Sequence, residues 1–184
     1  MGDGVSTGAV AGQLMAQLGA FEALLLAAAA VHQSMRWAQS LLVVRRFAGI
    51  PGFLSAGALG IAIGAEILAA SLLALPAYRV FGAALAAAVW TAYLALIVRA
   101  ILEDRRDADC GCSFGPAWRP LGAFHVLRNT VLAGLAIVVA CVSATVGSVA
   151  VEGSQWLGGL AVLTLYGALD QVMALRPLRA GEVL

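Results

Sequence analysis

Five runs of about twenty apolar residues constrain this chain more than any other feature. They lie at about 13–32, 53–75, 80–102, 125–146 and 156–175. A bilayer core takes about 20 apolar residues as helix. Lipid tolerates only backbones satisfied within themselves, and these runs are too long for barrel strands. The expected fold is therefore all-α: an integral membrane helical bundle of four core transmembrane helices plus a fifth, C-terminal one, in a single membrane domain, 1–184. Pro51 and Gly52 introduce the second run and Pro76 ends it, which sharpens its limits.

Composition removes other classes. Hydrophobic residues make up 62% of the chain and charged ones 11%, where a soluble domain is nearer a quarter charged. A soluble enzyme and a disordered tail are both excluded. Net charge is +1, so there is no basic surface for nucleic acid. The expected environment is the lipid bilayer. The segment before the first run lacks Lys and Arg, a poor start for a signal peptide, so that run is expected to stay as an anchor.

Arginine placement gives an orientation. Arg36, Arg45 and Arg46 follow the first run. Arg105, Arg106 and Arg119 follow the third, with Arg99 and Arg128 at its margins, and Arg176 and Arg179 lie in the tail. The opposite side has Arg79 alone. This bias puts the N-terminus outside and the 103–124 loop in the cytoplasm.

Within the runs, Gly57, Gly60 and Gly64 give a small-residue stripe that lets helices approach closely. Packing inside the bundle is the expected use, ahead of a dimer interface. Ionisable residues inside spans are costly and face the bundle interior. Glu22 is expected to serve packing. Glu66 has two readings of equal weight, proton uptake or release coupled to thiol chemistry and an ion pair or hydrogen bond that fixes helix packing. Asp170 is expected to pair with Arg176 or reach the interface. Arg128 is expected to anchor its helix end at headgroups, or to lower a thiol pKa, and His125 to be an interfacial residue or a proton carrier. Tyr78, Trp118 and Trp156 suit an aromatic belt. Trp90 and Tyr93 offer rings to a quinone, although core or lipid contact is the stronger expectation.

The chemistry concentrates in loop 103–124, which carries two of the three cysteines, Cys110 and Cys112, around Gly111. Thiolates exchange with disulfides at a rate set by thiolate fraction and access. A disulfide closing so small a ring departs from preferred geometry and is easily reduced. Such a pair suits an oxidant of other dithiols better than a clamp. Asp107 and Asp109 oppose the thiolate form and Arg105 and Arg106 favour it. Cys112, farther from Asp109, is the preferred attacking thiol. A soft-metal reading with Cys110, Cys112 and His125 stands beside it, as does a loop of unreactive thiols.

The run Cys110-Gly111-Cys112-Ser113-Phe114-Gly115, followed by Leu127-Arg128-Asn129 at the next membrane helix, resembles the methylamine utilisation protein MauE family, one of the DoxX-like four-helix membrane proteins. Ile63 to Leu68, an apolar helix with Glu66 embedded, resembles it too. The likeness spans roughly residues 14–150. Ser113 is an insertion relative to the family's Cys-Gly-Cys-Phe-Gly loop, and His32 stands near where a basic residue often ends the first helix. The resemblance implies a bacterial inner-membrane protein that helps mature a quinone-cofactor amine dehydrogenase. That enzyme's small subunit is rich in disulfides, and a thioredoxin-like protein or a disulfide-bearing client is the implied partner.

Arginine bias and the resemblance pull apart. Disulfides of exported proteins persist outside, whereas the bias puts Cys110 and Cys112 inside. Either the charge rule fails here, or the loop passes electrons across. Cys141 is the other thiol, roughly 20 Å along the fourth span at 1.5 Å per residue, and is expected to be a small buried packing residue. Two readings from other classes remain: a non-enzymatic assembly subunit, and a metal or small-solute carrier using Glu66. Oligomeric state is not legible.

Overall fold

The computed structural model describes residues 7–48, 51–103, 122–146 and 153–174. They form α1 (Thr7–Met35), α2 (Trp37–Ala48), α3 (Gly52–Ala74), α4 (Arg79–Leu102), α5 (Ala123–Val146) and α6 (Gly153–Ala174). A short 3₁₀ turn, Pro76–Tyr78, joins α3 to α4. No strand occurs among the described residues. Four stretches, Gly8–Met35, Gly52–Ala74, Pro76–Leu102 and Ala123–Thr145, are long and apolar enough to cross a membrane.

Apolar side chains occur all round these helices, which marks a helix surrounded by other helices and lipid. The inner faces carry Phe21, Leu25 and Leu26 of α1, Leu73 of α3, Trp90 of α4 and Leu132 and Val139 of α5. Ala69, Ala83, Ala86 and Ala136 lie between them, and such small residues let the axes close in. The outer faces leave Phe53, Ile61, Phe81, Leu127 and Leu165 mostly exposed, as lipid contact requires. Helices α1, α3, α4 and α5 form a closed ring of neighbours, and α6 packs on the outside of α1.

Proline sets the tight α3–α4 hairpin. Leu75 takes an extended conformation (φ −95°, ψ 114°) ahead of Pro76, because the pyrrolidine ring disfavours helical geometry in the residue before it. The chain turns in three residues, so α3 and α4 pack from their shared end onward. A Cβ on Gly82 would sit 2.5 Å from the backbone nitrogen of Leu73. Only glycine permits that approach. Gly159 does the same between α6 and α1, where a Cβ would lie 2.8 Å from the nitrogen of Phe21.

The glycine stripe of α3 behaves differently from its expectation. A Cβ added at Gly57, Gly60 or Gly64 would meet nothing, and these glycines face outward. The inner face of α3 is Ser55, Leu59, Ile63, Glu66, Ala69 and Leu73. Glu66 and the larger apolar residues claim the interior, and the stripe lies across the helix from them. The small-residue contacts of the bundle are made by Gly82 and Gly159 instead.

The segment after α1 also differs. Arg36, Arg45 and Arg46 read as loop residues, yet the chain forms a 12-residue helix there, α2. The backbone nearly continues through Arg36, whose N–H bonds to His32 O at 3.0 Å, while Ser40 N–H bonds to Arg36 O at 2.9 Å. The Ser40 hydroxyl donates to the Gln33 carbonyl at 3.3 Å, a side chain engaging the ladder where the helix axis breaks. Leu41 and Val44 then pack on Ala30, Leu59 and Ile63, and Val43 on the cluster of Ile97 and Ala100. Twelve residues are too few to span a bilayer, but one apolar side suffices to hold this helix across α3 and α4.

Candidate functional site

The helix directions bring one set of ends together. Helices α1, α4 and α6 finish at the end of the bundle where α3 and α5 begin. The last turn of α4 and the first turn of α5 therefore lie at that same end. Cys110 and Cys112, with residues 104–121, lie outside the described residues. The same is true of Trp118 and Arg176.

Glu66 lies on the inner face of α3 and is fully buried. Its Oε1 accepts two hydrogen bonds, one from Gln33 Nε2 on α1 at 2.8 Å and one from the Tyr93 hydroxyl on α4 at 2.5 Å. Gln33 Nε2 also donates to the Tyr93 oxygen at 3.2 Å. Three helices thus converge on one carboxyl oxygen. The other oxygen, Oε2, is buried and has no hydrogen-bond partner among the described residues. Gln33 and Tyr93 are only partly buried, so the cluster has an open edge.

Glu22, near the middle of α1, forms a second and tighter site. It is 1% exposed, and its Oε2 accepts from the Trp90 indole N–H at 2.7 Å. Its Oε1 is buried without a hydrogen-bond partner among the described residues. The Trp90 and Tyr93 rings meet edge to face at 6.1 Å. One turn of α4 therefore serves both carboxyl groups. Nearby, Arg79 is 1% exposed. Its Cδ lies 3.5 Å from where a Cβ on Gly19 would sit, so the glycine makes room for its stem.

A third polar group surrounds the first turns of α5. His125 is buried in the first turn of α5, and its Nδ1 accepts weakly from the Gly122 N–H at 3.4 Å. Arg128 is also buried and lies 3.8 Å from Asp170 of α6. Arg128 is thus buried beside Asp170 rather than set at headgroups, and the expected Asp170–Arg176 pair lies outside the described residues. A buried guanidinium needs a carboxylate partner, and α6 carries one to it. Asn129, 1% exposed, donates to the His125 carbonyl at 2.9 Å.

Cys141 is exposed on the outer face of α5. The packing role expected of it fails because Val139 and Ser143 take the inward positions. Trp156 packs against the central core, whereas Tyr78 stays half exposed at the α3–α4 turn. Among the described residues no three metal-ligating side chains cluster. Sequence reasoning singled out Glu66 but missed Gln33 and Tyr93 as its partners and Trp90 as the partner of Glu22. One signal was available: polar-tipped residues inside apolar runs must find partners in lipid.

The fold and these buried polar groups define a multi-pass α-helical membrane protein with carboxyl groups sunk in its interior. Comparison with known proteins refines the class. The chain matches the family description "Methylamine utilisation protein MauE" over residues 12–142, from α1 through most of α5. It is similar to the methylamine utilization protein MauE of Methylophilus methylotrophus, at 34% identity over 82% of this chain and 80% of that one. It is similar also to that of Paracoccus denitrificans, at 32% identity over 79% of this chain and 80% of that one. No solved structure matches it. The chain belongs to the MauE family. The matched stretch contains Cys110, Cys112, Glu66, His125 and Arg128, while α6 and Asp170 lie beyond it.

Proposed function

We propose that this protein is a membrane thiol–disulfide redox component serving methylamine utilisation, and that Cys110 and Cys112 exchange a disulfide with another protein. The observation that carries the reading is the Cys-Gly-Cys pair between two spans of a chain belonging to the MauE family. The relatives' names supply the pathway. The chemistry comes from the residues. A thiolate of Cys112 attacks a sulfur of the partner's disulfide, and one partner sulfur leaves as a thiolate. The Cys110 thiolate then attacks Cys112 in the mixed disulfide and releases the reduced partner. Two electrons pass to the partner, and Cys110 and Cys112 end as a disulfide. The reverse sequence oxidises a client dithiol.

His125 and Arg128, on the helix that follows the thiols, are the charged and titratable side chains of this site. Their burial beside Asp170 and Asn129 makes them positioning residues for the start of α5. The partner is a thioredoxin-like protein or a disulfide-bearing client at the surface of the bacterial inner membrane. The arginine bias puts the loop on the cytoplasmic side.

Acid quenching of cells, alkylation and mass analysis of the 104–121 stretch measure the redox state of the pair. Interconversion of dithiol and disulfide with growth condition is the expected result, with a mixed disulfide trapped by Cys110→Ser. A permanently reduced pair, with full amine-dependent growth of the Cys110→Ser/Cys112→Ser variant, overturns the proposal. Labelling intact cells with a membrane-impermeant thiol reagent reports the face; rapid modification from outside reverses the assigned orientation.

A further inference from the structure

Glu66 and Glu22 are both buried in the bundle, and their surroundings differ in one chemical respect. Glu22 meets an indole N–H, which donates and never accepts. Glu66 meets a phenol hydroxyl, which does both. Gln33 donates to that hydroxyl's oxygen, so the Tyr93 proton is directed at Glu66 Oε1. The two partly buried members, Gln33 and Tyr93, form the open edge of the cluster. Gln33 sits in the last turn of α1, at the end of the bundle where the chain passes into α2.

An ionised Glu66 would hold a bare oxygen, Oε2, away from water. A charge at the centre of a span is costly even on the lenient insertion scale. Glu66 makes no ion pair among the described residues. The other charged or titratable groups on the elements packed against α3 are Glu22 and His32 on α1, Arg45 and Arg46 on α2, Tyr78 on the 3₁₀ turn, and Arg79 and Arg99 on α4. A metal cation needs several oxygen ligands, and no two further carboxylate, histidine or cysteine side chains join Glu66 in a cluster of three among the described residues. A proton needs only one carboxyl oxygen, and Oε1 is the one the Tyr93 hydroxyl meets.

We propose that Glu66, held by Gln33 and Tyr93, is a proton-binding site inside the membrane, filled and emptied through the Tyr93 hydroxyl. In the filling step, an acid at the open edge gives a proton to the Tyr93 oxygen as the Tyr93 proton moves to Glu66. Tyr93 is regenerated, one carboxylate becomes a carboxylic acid, and no electron moves. Emptying is the reverse. Glu22, joined among the described residues only to Trp90, keeps its proton and does not exchange on this path. The site stands independently of the cysteine chemistry.

Infrared difference spectroscopy of the full chain in phosphatidylcholine bilayers tests this. The carbonyl stretch of a protonated carboxyl group is expected in the native protein and lost in Glu66→Gln. It shifts in heavy water. Tyr93→Phe keeps the band but slows its deuterium exchange by roughly a hundredfold, the low end of what a positioned proton donor contributes. Should Glu66→Gln fail to fold, carbon-13 labelling of glutamate reads the same band in the native chain, and the Tyr93→Phe comparison stands. The Cys110→Ser/Cys112→Ser variant is expected to show the native band, which separates this site from the thiol proposal. A folded Glu66→Gln with an unchanged carboxyl band overturns the assignment. So does exchange as fast in Tyr93→Phe as in the native chain, or a band abolished by sodium or potassium, which would make the occupant a metal cation.

Discussion

Glu22 and Glu66 are the same side chain in the same solvent, yet the bundle treats them differently. Glu22 lies near the middle of α1, level with the core residues Phe21 and Leu25 and bonded to Trp90. Glu66 sits where α1 is about to end, with two half-buried polar residues against it. Depth in the bundle matters less than the identity of the partner. An indole closes a site, whereas a phenol next to an amide leaves it able to pass a proton.

The largest effect expected from breaking this contrast is at Trp90. Trp90→Ala opens a cavity in the core and removes the donor to Glu22, for a loss of about 4 kcal/mol. Denaturant unfolding in mixed micelles, followed by circular dichroism, measures it. A loss below about 1 kcal/mol means that Glu22 is not held as described.

Gly82→Leu comes next. It forces a side chain into the backbone of Leu72 and Leu73 and is expected to cost about 3 kcal/mol through overpacking. Gly60→Leu on the outer face of α3 is expected to stay within about 0.5 kcal/mol of the parent. The difference between the two, read from the same unfolding curves, checks which glycines the helix packing uses.

Tyr93→Phe removes one hydrogen bond to Glu66 and keeps the ring. About 1 kcal/mol of stability is expected to go, with the Trp90 ring contact preserved. A change as large as that of Trp90→Ala would place both carboxyl groups in one structural network and erase the contrast. The smallest shift is expected for Asp170→Glu, which keeps the charge facing Arg128. Asp170→Asn is the sharper variant, because it leaves a buried guanidinium without that carboxylate; a loss of about 3 kcal/mol is expected.

Much of this molecule could be read before its fold was known. The apolar runs placed the long helices, because lipid admits hardly any other backbone. Glu66 and Glu22 stood out because charge is rare inside such runs. The partners did not stand out. Gln33, Tyr93 and Trp90 look like ordinary helix residues, and their pairing depends on which faces of α1, α3 and α4 meet. The burial of His125 and Arg128 was illegible for the same reason, since it depends on how the helices pack and on α6, lying against α1, bringing Asp170 to Arg128. Helix α2 was hidden behind its arginines, which resemble a loop when charge is counted without period.

By itself the sequence determined that the chain is helical, that it crosses the membrane several times, and that its two paired thiols fall between two spans. Each of these depends on local composition and on the inability of hydrocarbon to hydrogen-bond a backbone. The tertiary structure alone decided which glycines are contacts, that the α3 stripe faces outward, and which carboxyl group is sealed and which is approached by a hydroxyl. Helices apolar all round carry little information in their own pattern about which face turns inward. That choice is made by close packing and by the need of each buried polar atom for a partner on another helix.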